Sequence, residues 1–323
     1  MSKLVAMESP ARIIESRQSR AAAPFSPIVV NRPARKIASA RARIVLLNAA
    51  GGHGFDVIAA CLRRPPLRDA DVILLCEADR LMQRSGTRDV AGDLAALFDM
   101  SSAYVPEFAI GPSGSAFKGN AILSTAPFEE VEAVAMPSSF TPPAGRGLKR
   151  SSISGSPTGV IATVRFGAEK FTLGLAHLHS RCAPSERERQ MAAYMAAFPR
   201  TGRAIFGGDL NTTTLELRGA SAFARVAAAM LTHSRRFRSP LRYEPLFERI
   251  RERGLEIDGA NAPNRGTFTF SGIIPRVFRP KLDWLALRDL RPVPGTAQVI
   301  APRLSNFSRR ASDHDFITVE VEL

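Results

Sequence analysis

Cysteine is scarce in this 323-residue chain, and the three that occur, Cys61, Cys76 and Cys182, form an odd set without metal-type spacing. That argues against a disulfide framework and a thiolate metal site. We expect reduced packing residues in a cytoplasmic protein. No apolar run approaches the length of a membrane span, so no transmembrane segment is expected. The first residues lack the compact apolar stretch of a secretory signal. Their Arg, Ser and Ala content resembles a transit peptide, but Pro24, Pro27 and Pro33 oppose the long amphipathic helix such a peptide forms. Aromatics for stacking on bases are few, one Trp and three Tyr, which weakens the case for sequence-tolerant single-strand binding. Acidic residues are outnumbered, 30 against 44 Lys and Arg, for a net charge of +14.

That excess is unevenly spread. Met1–Arg43 holds nine Lys and Arg against two acidic residues, which is half of the net charge. Residues 1–42 carry scattered Arg, Ser and Pro without sustained periodicity, and we expect a basic, mostly disordered arm. Apolar residues make up 45% of the chain, a normal share for a sizeable core. No Gly/Ser-rich linker divides 43–323, so we read one domain there.

Short apolar runs predict strands at Arg43–Asn48, Asp71–Glu77, Ala103–Ile110, Gly119–Ser124, Glu130–Met136, Gly159–Phe166, Phe171–His177, Lys281–Leu287 and Asp315–Val321, with another around Gln298. Helical spacing falls at Phe55–Leu62, Val90–Phe98, Pro184–Phe198, Leu215–Met230 and Leu246–Arg253. Some strands follow strands directly and others follow helices. The pattern is that of mixed sheets flanked by helices, not of a purely parallel wound sheet.

One stretch organises the rest: Arg203-Ala-Ile-Phe-Gly-Gly-Asp-Leu-Asn-Thr-Thr-Thr214. A short buried strand is expected to stop at Gly207-Gly208, where glycine permits a sharp turn and a close approach. Asp209 and Asn211 follow. In an extended segment they face one side, an anion beside a neutral donor and acceptor. The alternative is an Asx-type turn. Other predicted strand ends are polar as well: Asn48, Glu77, His177 and the Ser312-Asp313-His314 turn. Asp283 is expected inside an apolar strand, where an unpaired carboxylate costs several kcal/mol; His314 is available as its partner. His177 and His179, two apart in a strand, are expected to point the same way. Separate structural explanations for all of these are less economical than one shared site.

The ordered motifs resemble the endonuclease/exonuclease/phosphatase superfamily, the deoxyribonuclease I-like fold. They are Asn48, Val-Ile-Leu-Leu-Cys-Glu77, Gly119-Asn-Ala-Ile-Leu-Ser124, Ala-His177-Leu, Gly-Gly-Asp209-Leu-Asn211, Leu-Asp283-Trp and Ser-Asp313-His314, and they span nearly all of 43–323. The resemblance implies an α/β four-layer sandwich, two mixed β-sheets flanked by helices, with the site at one edge. By position, Glu77 is the main ligand of Mg²⁺ or Mn²⁺, with Asn48 and Asp313 completing the surroundings. Asp209 and Asn211 orient water and phosphate. Asp283 holds His314 in one tautomer, and His177 stabilises the scissile phosphate or protonates the leaving oxygen. Cys76 stands where the family often has Gln, and Leu47 where it usually has Trp.

The resemblance implies phosphate-ester hydrolysis and leaves the substrate to the loops. Basic loops, among them Arg146, Lys149 and Arg150, favour nucleic acid. With Asn120 and His179 they are the candidate substrate contacts. We expect a monomeric nuclease. The alternatives are a sphingomyelinase-like lipid or small-molecule phosphodiesterase, its basic arm on an anionic membrane surface, and a non-catalytic binding protein. Retention of every matched acidic, amide and histidine position argues against the last.

Overall fold

The computed structural model describes residues 24–34, 40–111, 114–138, 153–216, 236, 239–269, 279–305 and 308–323. The larger of two sheets runs β1 (Ile28–Val30), β4 (Ser101–Ile110), β5 (Ala116–Ser124), β3 (Val72–Arg80), β2 (Arg41–Asn48), β14 (Phe316–Glu322), β12 (Arg291–Pro292). In addition, β7 (Ile153–Gly155) pairs with β4 and β13 (Gln298–Ile300) with β14. The smaller runs β11 (Asp283–Arg288), β10 (Arg203–Asp209), β9 (Glu169–Leu175), β8 (Thr158–Phe166), β6 (Phe128–Ala135). Two neighbour pairs are parallel, β2 with β3 and β9 with β10. Parallel neighbours need a crossover. α1 (Phe55–Leu62) lies in the first and α3 (Pro184–Ala197) in the second, whereas α2 (Val90–Leu97) leads from β3 to β4.

The sheets pack face to face. Ile44, Leu46, Leu74 and Ile122 of one meet Val160, Leu173, Ile205 and Leu285 of the other. The alternate residues Val45, Leu47, Ile73 and Leu75 face outward and pack with Ile58, Leu62, Val90 and Leu94 of α1 and α2. On the far side, Tyr194 and Phe198, at the end of α3, and Phe247 of the helix Leu246–Arg251 cover Phe206, Trp284 and Ala286. This is the expected four-layer sandwich. Strands buried on both faces read as continuous apolar runs, which is why their positions were legible. Each fully buried aliphatic or Phe side chain contributes about 1.5–3 kcal/mol. No helix among the described residues is long and apolar enough to cross a membrane.

Several expectations need correction. Part of the expected disordered arm is a strand: β1 pairs antiparallel with β4, and Asn31 clamps Phe128 by donating to its carbonyl (2.9 Å) and accepting from its N–H (2.8 Å). Strand β2 begins at Arg41, two residues before its expected start. Strand β3 does not stop at Glu77 but continues to Arg80. Strand β9 ends at Leu175, so His177 and His179 lie beyond it and not in a strand. The expected helix Leu215–Met230 and the basic loop with Arg146, Lys149 and Arg150 lie, wholly or largely, outside the described residues.

Candidate active site

Strand direction brings the polar residues together. The C-terminal ends of β2 and β10 carry Asn48 and Asp209; β11 and β14 run antiparallel to them, so the segments entering those strands share the same end. Asn48 of the larger sheet donates Nδ2–H to Asp209 Oδ2 of the smaller at 2.9 Å, joining the two layers. Asp283 is not inside its strand but is its first residue, directly opposite Asp209 in the β10–β11 register. Two facing buried carboxylates repel, and a cation between them removes the conflict. His314 supplies it, with Nδ1 at 2.8 Å from Asp283 Oδ2 and Nε2 at 3.5 Å from Asp209 Oδ2. Gly207-Gly208 does not end the strand; β10 runs on to Asp209. Its function is close approach, since a Cβ on Gly208 would lie 1.8 Å from the Ala176 carbonyl oxygen.

A second histidine faces the same oxygen. His177 Nε2 lies 3.8 Å from Asp209 Oδ2 and 3.7 Å from Glu77 Oε1, while its Nδ1 is 3.5 Å from Glu107 Oε2. Glu77 adopts a positive φ of 52° where the β3–β5 register shifts between Leu75 and Ala78. Such a bulge re-aims a side chain without ending the strand. Glu107 occupies a like position, at the β4–β5 shift between Pro106 and Phe108. Lys118 of β5 completes the cluster, its Nζ 2.9 Å from Glu77 Oε1.

The charges are mutually dependent. Burial disfavours a charged His314, but Asp283 and Asp209 outweigh it and push its pKa up to about 10. Burial likewise opposes a charged His177, and Glu107, Asp209 and Glu77 raise its pKa. Asp209 is raised by burial and by Asp283, against the pull of His314 and His177. Burial works against an ionised Glu77, yet Lys118 and His177 hold it at about 2. At neutral pH His314 is therefore an imidazolium and Glu77 a carboxylate, and the acids around His177 favour its charged form.

No family model matches the sequence, and no curated protein matches it. Solved structures do match. An endonuclease/exonuclease/phosphatase from Beutenbergia cavernae is 16% identical over 88% of this chain and 72% of its own, with a TM-score of 0.57. A Leptotrichia buccalis protein of the same family is 15% identical over 87% of this chain and 100% of its own, at 0.57. The D. rerio TDP2 complex with a single-strand DNA product is 19% identical over 88% and 100%, at 0.53. The chain has the endonuclease/exonuclease/phosphatase fold.

Within that fold, the other expected residues differ in placement. Asn211 is not extended: it has a φ of 49°, its N–H donates to Asp209 Oδ1 (3.1 Å), and its Nδ2–H donates to the Leu178 carbonyl (2.7 Å). The Asx-type turn is thus what holds Asp209 in place. Asn120 is fully buried and donates to the Thr158 carbonyl (3.0 Å), so it ties the sheets together and does not present itself to a substrate. His179 Nδ1 accepts from the Arg181 N–H, a contact within its own loop. Cys76 takes a role of its own, its sulfur 3.5 Å from the Asp209 N–H. Sequence reasoning missed Glu107 and Lys118. Lys118, in the run Lys-Gly-Asn just before the matched motif, was the accessible clue.

Two sets of groups are candidates for a cation. Asp209, Asp283 and His314 offer ligand atoms within 4.8 Å of one another. His314, protonated there and bonded through Nδ1 to Asp283, has no free lone pair for a metal, which fits a proton network better than Mg²⁺. Glu77 is ionised and its side chain is 27% exposed; Asp313 is exposed, and Asn48 Oδ1 accepts only the Ala50 N–H among the described residues. Two carboxylates open to water beside a buried amide oxygen fit a hydrated Mg²⁺ or Mn²⁺.

Proposed function

We propose that this chain is a divalent-metal-dependent phosphodiester hydrolase acting on nucleic acid, with residues 43–323 as its catalytic domain. The observation that carries this reading is the convergence on Asp209 Oδ2 of Asn48 Nδ2, His177 Nε2 and His314 Nε2 from three separate segments. Asp209, its affinity for protons raised by burial, takes a proton from water as the water oxygen bonds to phosphorus. His314, held by Asp283, stays an imidazolium and offsets charge on the phosphoryl oxygens. His177, its affinity for a proton raised by Glu107, Asp209 and Glu77, protonates the leaving oxygen as its bond to phosphorus breaks. Glu77, with Asn48 and Asp313, would hold a Mg²⁺ or Mn²⁺, which would supply further charge neutralisation.

Nucleic acid is favoured by the net charge of +14 and by the DNA product in the TDP2 complex of the same fold. The three cysteines are buried and unpaired, which supports a reducing, cytoplasmic setting. The test compares Mg²⁺-dependent hydrolysis of plasmid DNA and of sphingomyelin vesicles, with Glu77→Ala as the blank. DNA nicking lost in the variant is the expected result. Cleavage of lipid alone overturns the substrate, and inactivity on both substrates overturns the nuclease reading.

A further inference from the structure

Beside the catalytic cluster, a cavity of about 970 Å³ opens along the edge of β11. Among the described residues its charged lining is Arg265, Arg279, Lys281 and Asp258, three cations against one anion. Arg279 is engaged with Asp315 at 3.5 Å. Among the described residues, the side chains of Lys281 and Arg265 have no hydrogen bond or ion pair. The Lys281 ammonium lies 4.4 Å from the centre of the Trp284 ring, and that ring is itself buried. Burial lowers the Lys281 pKa to about 7, against the pull of Asp283. A partly buried ammonium without a counter-ion is costly, and an incoming anion relieves that cost.

The cavity is coupled to the site by chain and by hydrogen bonds. Lys281 precedes Asp283 by two residues. Its carbonyl accepts from Thr212 Oγ1 at 2.6 Å, and the same Thr212 oxygen accepts from Trp284 Nε1 at 2.9 Å. Thr212 directly follows Asn211, so one short network joins the rim of the cavity to the loop that holds Asp209. The volume exceeds what one inorganic phosphate needs and falls in the range of sites for drug-sized ligands. Trp284 is buried, with Lys281 over its ring, so it offers no open face for a base to stack on.

We propose that this cavity seats a second, non-reacting phosphodiester group of the substrate, held by Lys281 and Arg265, so that the protein takes polynucleotide strands rather than isolated phosphate esters. The proposal rests on the hydrolase reading above and names the substrate feature that its flank recognises.

Trp284 is the single tryptophan of the chain and reports directly on Lys281. The full chain in EDTA is titrated with a short single-stranded DNA oligonucleotide, reading indole emission and, independently, the anisotropy of a labelled strand. Saturable binding with a change in emission is expected. Lys281→Gln and Arg265→Gln should each weaken binding about five- to tenfold and reduce the slope of log K against log salt by about 0.7, the loss of one single-strand phosphate contact. Arg203→Gln, a charge removed at the opposite end of β10, should leave binding unchanged. Wild-type affinity and slope in both cavity variants would overturn the proposal, as would an emission response to anionic phospholipid vesicles but not to DNA. If Mg²⁺-dependent hydrolysis persists while the cavity variants bind normally, the cavity reading falls alone. Lys281-dependent binding without hydrolysis sinks the hydrolase reading and keeps the strand-binding cavity.

Discussion

Replacing Asp283 by Asn removes one buried charge and leaves an amide oxygen that can still accept from His314 Nδ1. In the wild type that contact is 2.8 Å and Asp283 is fully buried, so solvent screens it little. A rise in the His314 pKa from 6.5 to about 10 corresponds to roughly 5 kcal/mol of preference for the charged ring. Asp283 is the largest favourable contributor, ahead of Asp209, and a single adjacent carboxylate accounts for about 1–3 pKa units. The substitution should therefore lower the His314 pKa by about 2 and cost roughly 3 kcal/mol where the ring is charged. Folding raises this pKa, so the stabilisation is complete below pH 6.5 and is lost as the pH climbs toward about 10. Urea denaturation of both proteins across that window should show a gap that is largest at the acid end and narrows with pH. Histidine ring NMR reads the titration itself. A wild-type His314 that titrates near 6.5, or a stability gap constant over the window, would refute the reasoning.

Other consequences follow from single contacts. Arg187 and Glu244 form a fully buried pair at 2.6 Å, and Glu244 Oε1 also accepts the Thr214 N–H. Arg187→Met should cost about 3–5 kcal/mol in urea melts, and adding Glu244→Gln should recover part of it, because the stranded charge disappears. Gly208→Ala places a methyl 1.8 Å from the Ala176 carbonyl oxygen and should reduce stability by more than about 3 kcal/mol or abolish soluble expression. Glu107→Gln removes the first favourable partner of His177, and ring NMR should show the His177 pKa falling while the fold, checked by circular dichroism, is kept. An unchanged His177 titration would mean that Asp209 and Glu77 alone hold its proton.

The sequence by itself determined the long strands and most of the ionisable groups of the cluster, and the four-layer order came with the resemblance of its ordered motifs. Runs such as Val72–Leu75 are buried on both faces, so apolar content alone locates them, and the ordered Asn48, His177, Asp209, Asp283 and His314 lie at strand ends or within two residues of them. What escaped it was local geometry set by pairing. Side-chain alternation along a strand predicts a face only while the register holds, and one bulge inverts it. The two carboxylates Glu77 and Glu107 sit at register shifts against β5, and such shifts arise from the partner strand and leave no mark in either sequence run. Glu107, an acid within the expected strand Ala103–Ile110, therefore gave no signal of its own. Gly207-Gly208 read as a stop because glycine serves turns and close contacts equally, and only the Ala176 carbonyl distinguishes the two. The cavity at Lys281 depends on residues from 239 to 297 meeting at one sheet edge, and only the folded chain brings them there.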